Sequence, residues 1–253
     1  KKSDFKNNLQ SSKKIMSFLK KKKIDVVINC AGETDVNLCN KNFYHAYKSN
    51  VNSIKNIANA IQNLKKKIYL IHISTDQVYS SISKASKESE VVISNNYGAS
   101  KFFGEIQALK VKNSLVIRTN FFGKSISKNR ISYSDYIISN LKDKKKISIP
   151  SNVIFSPVHI NFILKIINKI IKIKIKGILN VGSKNSITKF EFTKLVAKKF
   201  NLNQKNIIPY KSDPSVHHRP LNTSMNTSKL ISKLKISVPS INDGLKLLWI
   251  KKY

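Results

Sequence analysis

The sequence predicts an α/β fold, in which a doubly wound parallel sheet is followed by a smaller C-terminal lobe. Three short, continuous apolar runs indicate the sheet, at residues 24–32, 67–73 and 114–117. Such runs are typical of parallel strands that are buried on both faces. Segments with helical spacing separate the runs, and alternation of strand and helix implies right-handed crossovers between parallel strands.

The helices are predicted from the spacing of apolar residues. Residues 8–22 carry four apolar residues on one face with lysines between them, as an amphipathic helix does. Residues 42–64 form a longer pattern of the same kind, and residues 97–110 predict a further helix.

The pattern is less regular after Gly123. We expect a helix over residues 132–141, strands at 146–150 and 177–183, a capped helix after Ser186 and two short helices in the tail. The basic, apolar residues 159–176 resemble a helix that lies on a membrane surface. We favour the alternative, a helix that packs on the sheet and extends its lysines to solvent.

Positive charge dominates the composition. The chain has 47 Lys and Arg against 13 Asp and Glu, and its formal net charge is +34. Only Arg118, Arg130 and Arg219 are arginines, although arginine is the preferred bidentate partner of phosphate and guanine. We therefore expect no nucleic-acid partner, and we expect the charge to attract anionic substrates in a salt-dependent way.

Cysteine and histidine are too scarce to predict a disulfide framework or a metal site. Cys30 and Cys39 are the two cysteines, and the adjacent His217 and His218 have no further ligand at metal-binding spacing. No apolar run predicts a membrane span, and the first residues contain no signal core. We expect a cytoplasmic protein without a metal, and consider a homodimer as one assembly.

Three small polar residues follow the second predicted strand. Ser74, Thr75 and Asp76 end the run of residues 67–73, and parallel sheets bind their ligands at the carboxyl ends of the strands. A ligand could satisfy these polar groups there. An ordinary turn, in which the same side chains cap backbone groups, would also explain them.

A tyrosine and a lysine follow about twenty residues later. Tyr97 and Lys101 are four residues apart on a predicted helix, so they share one face. A nearby ammonium favours the phenolate and lowers the pKa of a tyrosine, which would make it a usable general acid. Tyr44 and Lys48 have the same spacing, but no polar strand end precedes them and we interpret that pair as chance.

Seven motifs in a fixed order resemble those of the extended short-chain dehydrogenase/reductases, and most closely the dTDP-4-dehydrorhamnose reductase group. They are DVVINCAGETDVNLC (residues 25–39), STDQVY (74–79), YGASKFFGE (97–105), VIRTNFFG (116–123), FSPVHI (155–160), GILNVGS (177–183) and RPLNTSMNTSKL (219–230). Each motif is weak alone, but the collinear set is specific.

The resemblance implies a Rossmann-like domain with the catalytic trio Thr75, Tyr97 and Lys101. Thr75 would hydrogen-bond the substrate carbonyl, and Tyr97 would protonate its oxygen as hydride arrives. Lys101 would hold the nicotinamide ribose and lower the pKa of Tyr97.

The resemblance also implies the binding residues and the domains. Those bordering NADPH or NADH would be Asp4, Phe5, Gly32, Glu33, Thr34, Ile73, Tyr97 and Lys101, with the first two near the adenine. Those contacting the sugar nucleotide would be Thr75, Asp76, Phe121 and Arg219, while Asn50 matches a structural position. A truncated dinucleotide-binding domain would cover residues 1–123, with 146–182 returning to it, and a sugar-nucleotide lobe would cover 124–145 and 183–253.

The N-terminal part of the sequence lacks a motif that this family has. These enzymes begin with a strand, a Gly-x-x-Gly-x-x-Gly turn and a helix, whose amides hold the pyrophosphate. Here the first glycine is Gly32, and the resemblance starts just after that part. We therefore expect a truncated version of a longer chain, with the choice between NADPH and NADH left open.

The implied activity is reduction of the 4-keto group of a nucleotide-linked 6-deoxysugar, for deoxysugar and polysaccharide biosynthesis. Two alternatives stay open. One is epimerisation or dehydration on the same fold, although a dehydratase usually has an acidic pair where Asp76 is followed by Gln77. The other is a non-catalytic nucleotide-binding or regulatory protein, which the missing glycine turn favours and the intact trio disfavours.

Overall fold

The computed structural model describes residues 9–64, 66–81, 84–126 and 130–249. Its helices are α1 (Ser12–Lys21), α2 (Val36–Lys41), α3 (Phe43–Tyr47), α4 (Ser53–Gln62), α5 (Asn96–Leu109), α6 (Tyr133–Lys142), α7 (Ile160–Ile173), α8 (Lys189–Lys199), α9 (Pro214–His217), α10 (Ser228–Leu234) and α11 (Ile241–Lys246). Its strands are β1 (Val26–Asn29), β2 (Tyr69–Ile73), β3 (Ser114–Thr119), β4 (Phe121–Phe122), β5 (Ile147–Pro150), β6 (Ile154–Phe155), β7 (Val158–His159), β8 (Gly177–Val181), β9 (Ile187–Thr188) and β10 (Ile207–Tyr210).

The chain divides into two units. The first comprises Ile93–Arg118, Lys169–Leu179 and the described residues up to Val78. The second comprises Tyr79–Val92, Thr119–Asn168 and the described residues from Asn180 onward. The predicted dinucleotide-binding domain also includes the described residues within 79–92, 119–123, 146–168 and 180–182, which cluster with the second unit. One reason is strand pairing, since β5 pairs in parallel with β10.

A four-stranded sheet organises the first unit. Its strand order is β1-β2-β3-β8, and both β1 with β2 and β2 with β3 pair in parallel. The predicted strands at residues 24–32, 67–73, 114–117 and 177–183 each overlap one of these four strands, and β3 extends two residues beyond its predicted end. This sheet, with its helical connections, confirms the predicted α/β fold.

Apolar side chains of α1, α4 and the sheet form the core of the first unit. Ile15 of α1, Ile57 of α4 and Leu70 of β2 are buried members of one cluster. Buried residues recur at helical spacing in both helices, at Ile15 and Leu19 in α1 and at Ile54, Ile57 and Ile61 in α4.

The segment predicted as one helix over residues 42–64 is interrupted. A π-helical turn at Lys48–Asn52 lies between α3 and α4. A π turn inserts one extra residue into a helix and is frequent at functional sites. This turn buries Asn50, which contributes to the site described below.

β1 is an edge strand within the part of the sheet that the structure describes. It pairs with β2 on one side, and its Ile28 is 40% exposed. Beside it lies a cavity of about 240 Å³ whose lining is entirely apolar and includes Phe18 and Val27.

The second unit has a core of its own, in which aromatic rings predominate. Phe122, Phe155 and Phe192 are buried with their rings packed edge to face. Around them, β4 pairs in parallel with β7, and β6 pairs antiparallel with β9. α8 begins two residues later than predicted, because its N-cap is Thr188, in a capping box with Glu191, rather than Ser186.

Within the predicted segment 159–176, the helix α7 covers Ile160–Ile173. Its apolar side is buried at Ile163, Ile166, Ile167 and Ile170. No helix in the described ranges is long and apolar enough to cross a membrane.

Candidate active site

The three polar residues after β2 have different surroundings. All are buried, at 5% exposure for Ser74, 6% for Thr75 and 1% for Asp76. The Ser74 hydroxyl donates to the Glu105 carboxylate, so it belongs to the interior. The Thr75 hydroxyl donates to Asp76 Oδ1 over 3.3 Å and accepts from the Gln77 amide over 3.2 Å. Thr75 and Asp76 are therefore the members of the triplet that are placed for chemistry.

The first turn of α5 places Tyr97 beside Thr75. Asn95 caps the helix by accepting from the Gly98 amide over 2.7 Å. A Cβ atom on Gly98 would lie 2.5 Å from the Gln77 carbonyl oxygen, so glycine allows the helix to start close to the end of β2. Thr75 and Tyr97 form a side-chain hydrogen bond there.

Lys101 lies one turn further along α5 and is also buried. Its ammonium donates to the Ile73 carbonyl oxygen over 2.8 Å. Burial lowers the pKa of Lys101 to about 8, although the nearby Glu105 carboxylate acts in the opposite direction. The helical spacing thus places Tyr97 and Lys101 on successive turns of α5, both near the end of β2.

The pKa of Tyr97 differs from the expectation. Burial raises it well above the ordinary value of 10, the hydrogen bond with Thr75 lowers it, and the negative charges of Asp76 and Glu33 raise it further. Lys101 is not among the causes of this shift, and its described hydrogen bond goes to the Ile73 carbonyl. The predicted lowering of the pKa of Tyr97 by Lys101 was therefore wrong for the protein without ligands.

The loop after β1 approaches the same cluster. Asn50 of the π-helical turn accepts from the Glu33 amide over 2.8 Å and donates to the Glu33 carbonyl over 3.1 Å. It also donates to the Ser100 hydroxyl of α5 over 2.9 Å. A Cβ atom on Gly32 would lie 2.5 Å from Asn50 Oδ1 and 3.9 Å from Lys101 Nζ, so a glycine is required for this close approach. Thr34 is the next residue in the loop, and its amide donates to Glu33 Oε1.

A buried ion pair supports the site, and it was not predicted from the sequence. Arg118 of β3 and Glu105 of α5 are almost fully buried, and two guanidinium nitrogens bond the carboxylate at 2.6–3.1 Å. Glu105 also accepts from Ser74 and lies one turn after Lys101. The two residues occur in separate motifs, so their pairing needs the folded chain.

The remaining predicted residues lie elsewhere. Asp4 and Phe5 are outside the described residues. Phe121 and Arg219 belong to the second unit, where Arg219 is half-buried. Phe121 is 49% exposed and lines a cavity of about 200 Å³ together with Lys124.

The other tyrosine at the same spacing has a different environment. Tyr44 is 74% exposed, whereas Tyr97 is 7% exposed. This contrast supports the interpretation of the Tyr44 pair as chance. Within the described ranges, no group of three or more His, Cys, Asp or Glu residues is arranged to hold a metal ion.

Comparison of the sequence with known protein families identifies the family to which the chain belongs. The family described as RmlD substrate binding domain matches residues 2–252. The chain belongs to this family. The predicted resemblance is thereby confirmed, since the relatives of this RmlD-family chain include dTDP-4-dehydrorhamnose reductases.

Three relatives show how far the similarity extends. A probable low-salt glycan biosynthesis reductase, Agl14, of Haloferax volcanii is 21% identical, over 95% of this chain and 82% of that protein. The dTDP-4-dehydrorhamnose reductase of Escherichia coli is 21% identical, over 96% of this chain and 85% of that protein. The crystal structure of the Bacillus anthracis dTDP-4-dehydrorhamnose reductase in complex with NADP is 25% identical, with a TM-score of 0.86 over 94% of this chain and 85% of that one.

Proposed function

We propose that this RmlD-family chain is a reductase that uses NADPH, or NADH, to reduce the 4-keto group of a nucleotide-linked 6-deoxysugar. The observation that carries the proposal is the buried cluster of Thr75, Tyr97 and Lys101 at the carboxyl end of β2. The named relatives are reductases of this kind or of glycan biosynthesis, which supports the same chemistry here. The product would be a deoxysugar for a polysaccharide, made in the cytoplasm.

Thr75, Tyr97 and Lys101 have separate roles in the proposed reaction. The hydroxyls of Thr75 and Tyr97 bind the carbonyl oxygen, and Tyr97 delivers its proton to that oxygen as negative charge develops. The raised pKa of Tyr97 keeps the phenol protonated at neutral pH. An alkoxide is more basic than a phenolate, so the transfer remains favourable despite the raised pKa. Lys101 is assigned to the ribose of the cofactor rather than to the phenol.

The residues present fit the nicotinamide end of such a cofactor. Within the described ranges, the Ile73 carbonyl is the one hydrogen-bond acceptor of Lys101, so two of the three ammonium donors remain for ribose hydroxyls. Gly32, which has no Cβ, leaves room beside that ammonium. When bound, the cofactor supplies the hydride. Glu33, Thr34 and Ile73 border the same position.

The residues for the substrate are assigned from their chemistry. We assign Thr75 and Asp76 to the sugar, Phe121 to stacking on it, and Arg219 to the diphosphate. An exposed aromatic ring beside a lysine-lined cavity suits a nucleotide-linked sugar, because such a ligand combines a flat ring with two negative charges. A homodimer is the assembly we propose for the enzyme.

Two variants test catalysis. The chain is titrated with NADPH and NADH in a calorimeter, and turnover is then measured with a dTDP-linked 4-keto-6-deoxysugar. Tyr97→Phe removes the phenolic proton, so turnover should fall at least 100-fold while cofactor affinity stays within a few-fold. Tyr44→Phe removes the same atom from an exposed tyrosine and is the matched control, which should keep full turnover.

The outcomes separate the alternatives. Equal loss of turnover in both variants, or none in either, would contradict the role of Tyr97. Cofactor binding without any turnover in the unmodified chain would favour a binding or regulatory protein. Conversion of the sugar without net oxidation of NADPH would favour an epimerase or a dehydratase.

A further inference from the structure

Two neighbouring strands of the first unit, β1 and β2, each carry one buried polar residue among apolar ones. Asn29 and His72 are directly opposite each other on β1 and β2 and are 4% and 1% exposed. Their side chains bond each other, with 2.9 Å between Asn29 Nδ2 and His72 Nδ1. Buried polar groups cost free energy unless they are paired, so a strand pair that served stability alone would favour apolar residues here.

The hydrogen bonds fix the roles of the atoms. Asn29 Oδ1 accepts from the Ala31 amide over 3.2 Å, so the other end of the side chain is the NH₂ donor. His72 Nδ1 is therefore the acceptor, and the imidazole proton lies on Nε2. Burial, with a smaller contribution from Lys101, holds the pKa of His72 well below its usual value, so the ring is neutral.

His72 Nε2 is buried and has no hydrogen-bond partner among the described residues. It lies 3.5 Å from the position that a Cβ atom of Gly104 would occupy. An unpaired buried donor is costly, and the fold retains it next to the helix that carries Tyr97 and Lys101. Among the described residues, the pairing of this ring is therefore the bond that Nδ1 makes with Asn29.

The pair connects two backbone segments of the candidate site. On one side, Asn29 holds the Ala31 amide, which begins the loop that contains Gly32 and Glu33. On the other side, His72 directly precedes Ile73, whose carbonyl oxygen holds the Lys101 ammonium. The bond between the two side chains therefore helps to set the distance between this loop and the lysine.

We propose that Asn29 and His72 are a positioning pair for the nicotinamide ribose of the cofactor. They hold the loop of residues 31–33 against the end of β2, so that the space beside Lys101 is formed before the cofactor binds. This inference rests on the proposed function, because the loop and Lys101 are assigned to the cofactor there. Neither residue touches the reacting atoms, so their effect should fall on cofactor affinity rather than on the chemical step.

The test compares three variants of the full chain. Asn29→Leu and His72→Leu each remove the bond between the side chains, whereas His72→Gln keeps an amide oxygen that can accept it. Ile71→Val is the matched control, since it trims a fully buried neighbour of His72 on the same strand without touching the pair. Thermal unfolding, the calorimetric Kd for NADPH, and kcat and KM are measured for each.

We expect the two leucine variants to raise the Kd and KM for NADPH about 10-fold, which corresponds to about 1.4 kcal/mol. Their kcat at saturating NADPH should stay within 3-fold, and His72→Gln should recover part of the affinity. Ile71→Val should lower the melting temperature and leave Kd unchanged. Hydrogen exchange at the Ala31 amide should be faster in both leucine variants than in the control.

Two failures are distinguishable. If the unmodified chain binds neither NADPH nor NADH, the proposed function fails and the pair loses its role with it. If the unmodified chain binds NADPH and the leucine variants bind it equally well, with only their melting temperatures lowered, the positioning role alone is refuted.

Discussion

The buried ammonium of Lys101 destabilises the folded chain. Its replacement by an apolar residue should therefore increase stability while it abolishes activity. The side chain is 6% exposed, and its pKa falls from 10.5 to about 8. Each pKa unit corresponds to about 1.4 kcal/mol, so the buried ammonium destabilises the folded chain by about 3 kcal/mol at neutral pH.

The pH dependence follows from the direction of this shift. The folded-state pKa lies below the unfolded value, so below about pH 8 both states hold the proton and the full cost is present. Between pH 8 and 10.5 the unfolded state binds more protons than the folded state, so the contribution of Lys101 to stability becomes less unfavourable as pH rises. Above pH 10.5 the cost is gone.

Lys101→Met replaces the ammonium by an apolar group of similar length. The variant gains about 3 kcal/mol at pH 7 from the lost charge and loses about 1 kcal/mol from the missing bond to the Ile73 carbonyl. The second contribution does not vary with pH. We therefore expect the variant to be more stable than the unmodified chain at pH 7, with its advantage smaller by roughly 2 to 3 kcal/mol at pH 10, and to be inactive.

Urea unfolding at pH 7, 8.5 and 10, followed by circular dichroism, measures this difference. Lys48→Met replaces an exposed lysine and serves as the control, whose small effect should be the same at each pH. A difference between Lys101→Met and the unmodified chain that stays constant from pH 7 to pH 10 would refute the reasoning, because it would show that Lys101 is not buried as a charge.

Two further substitutions test how closely the site is packed. Gly104→Ala should destabilise the chain by roughly 1–3 kcal/mol, because its Cβ would lie 2.5 Å from a backbone carbonyl oxygen of the π-helical turn. An unchanged midpoint of urea unfolding would contradict this close approach. Glu105→Gln should cost roughly 3–5 kcal/mol by leaving Arg118 buried without a counter-charge, and the double variant with Arg118→Met should recover much of that loss. No recovery in the double variant would show that the ion pair is not the cause.

The main elements of the sheet could be predicted because their signals are local. Each of the strands β1, β2, β3 and β8 coincides with a continuous apolar run that ends at a polar or small residue. α2 was missed because it has six residues, fewer than two helical turns, and shows no periodicity. The short strands β4, β6 and β7 have two residues each and depend on partners distant in sequence.

The sequence predicted which candidate residues lie near one another, but not their electrostatics. Spacing alone placed Tyr97 and Lys101 on one face of α5, and order along the chain placed Thr75 near them. Spacing does not report burial or the direction in which an ammonium points, and these two properties reversed the expected shift in the pKa of Tyr97. The pairing of Asn29 with His72 also depends on strand register, which a single sequence does not specify.

Among the described residues, the edge of β1 that faces away from β2 has no strand partner, and this has a practical consequence for handling the chain. An unpaired strand edge beside an apolar cavity can pair with the same edge of another molecule and begin aggregation. The net charge of +34 opposes such encounters, because like-charged molecules repel each other. Salt shortens the range of that repulsion to about 10 Å at 0.1 M and about 3 Å at 1 M. Light scattering should therefore rise as salt is added, and the chain is best purified and stored at low ionic strength.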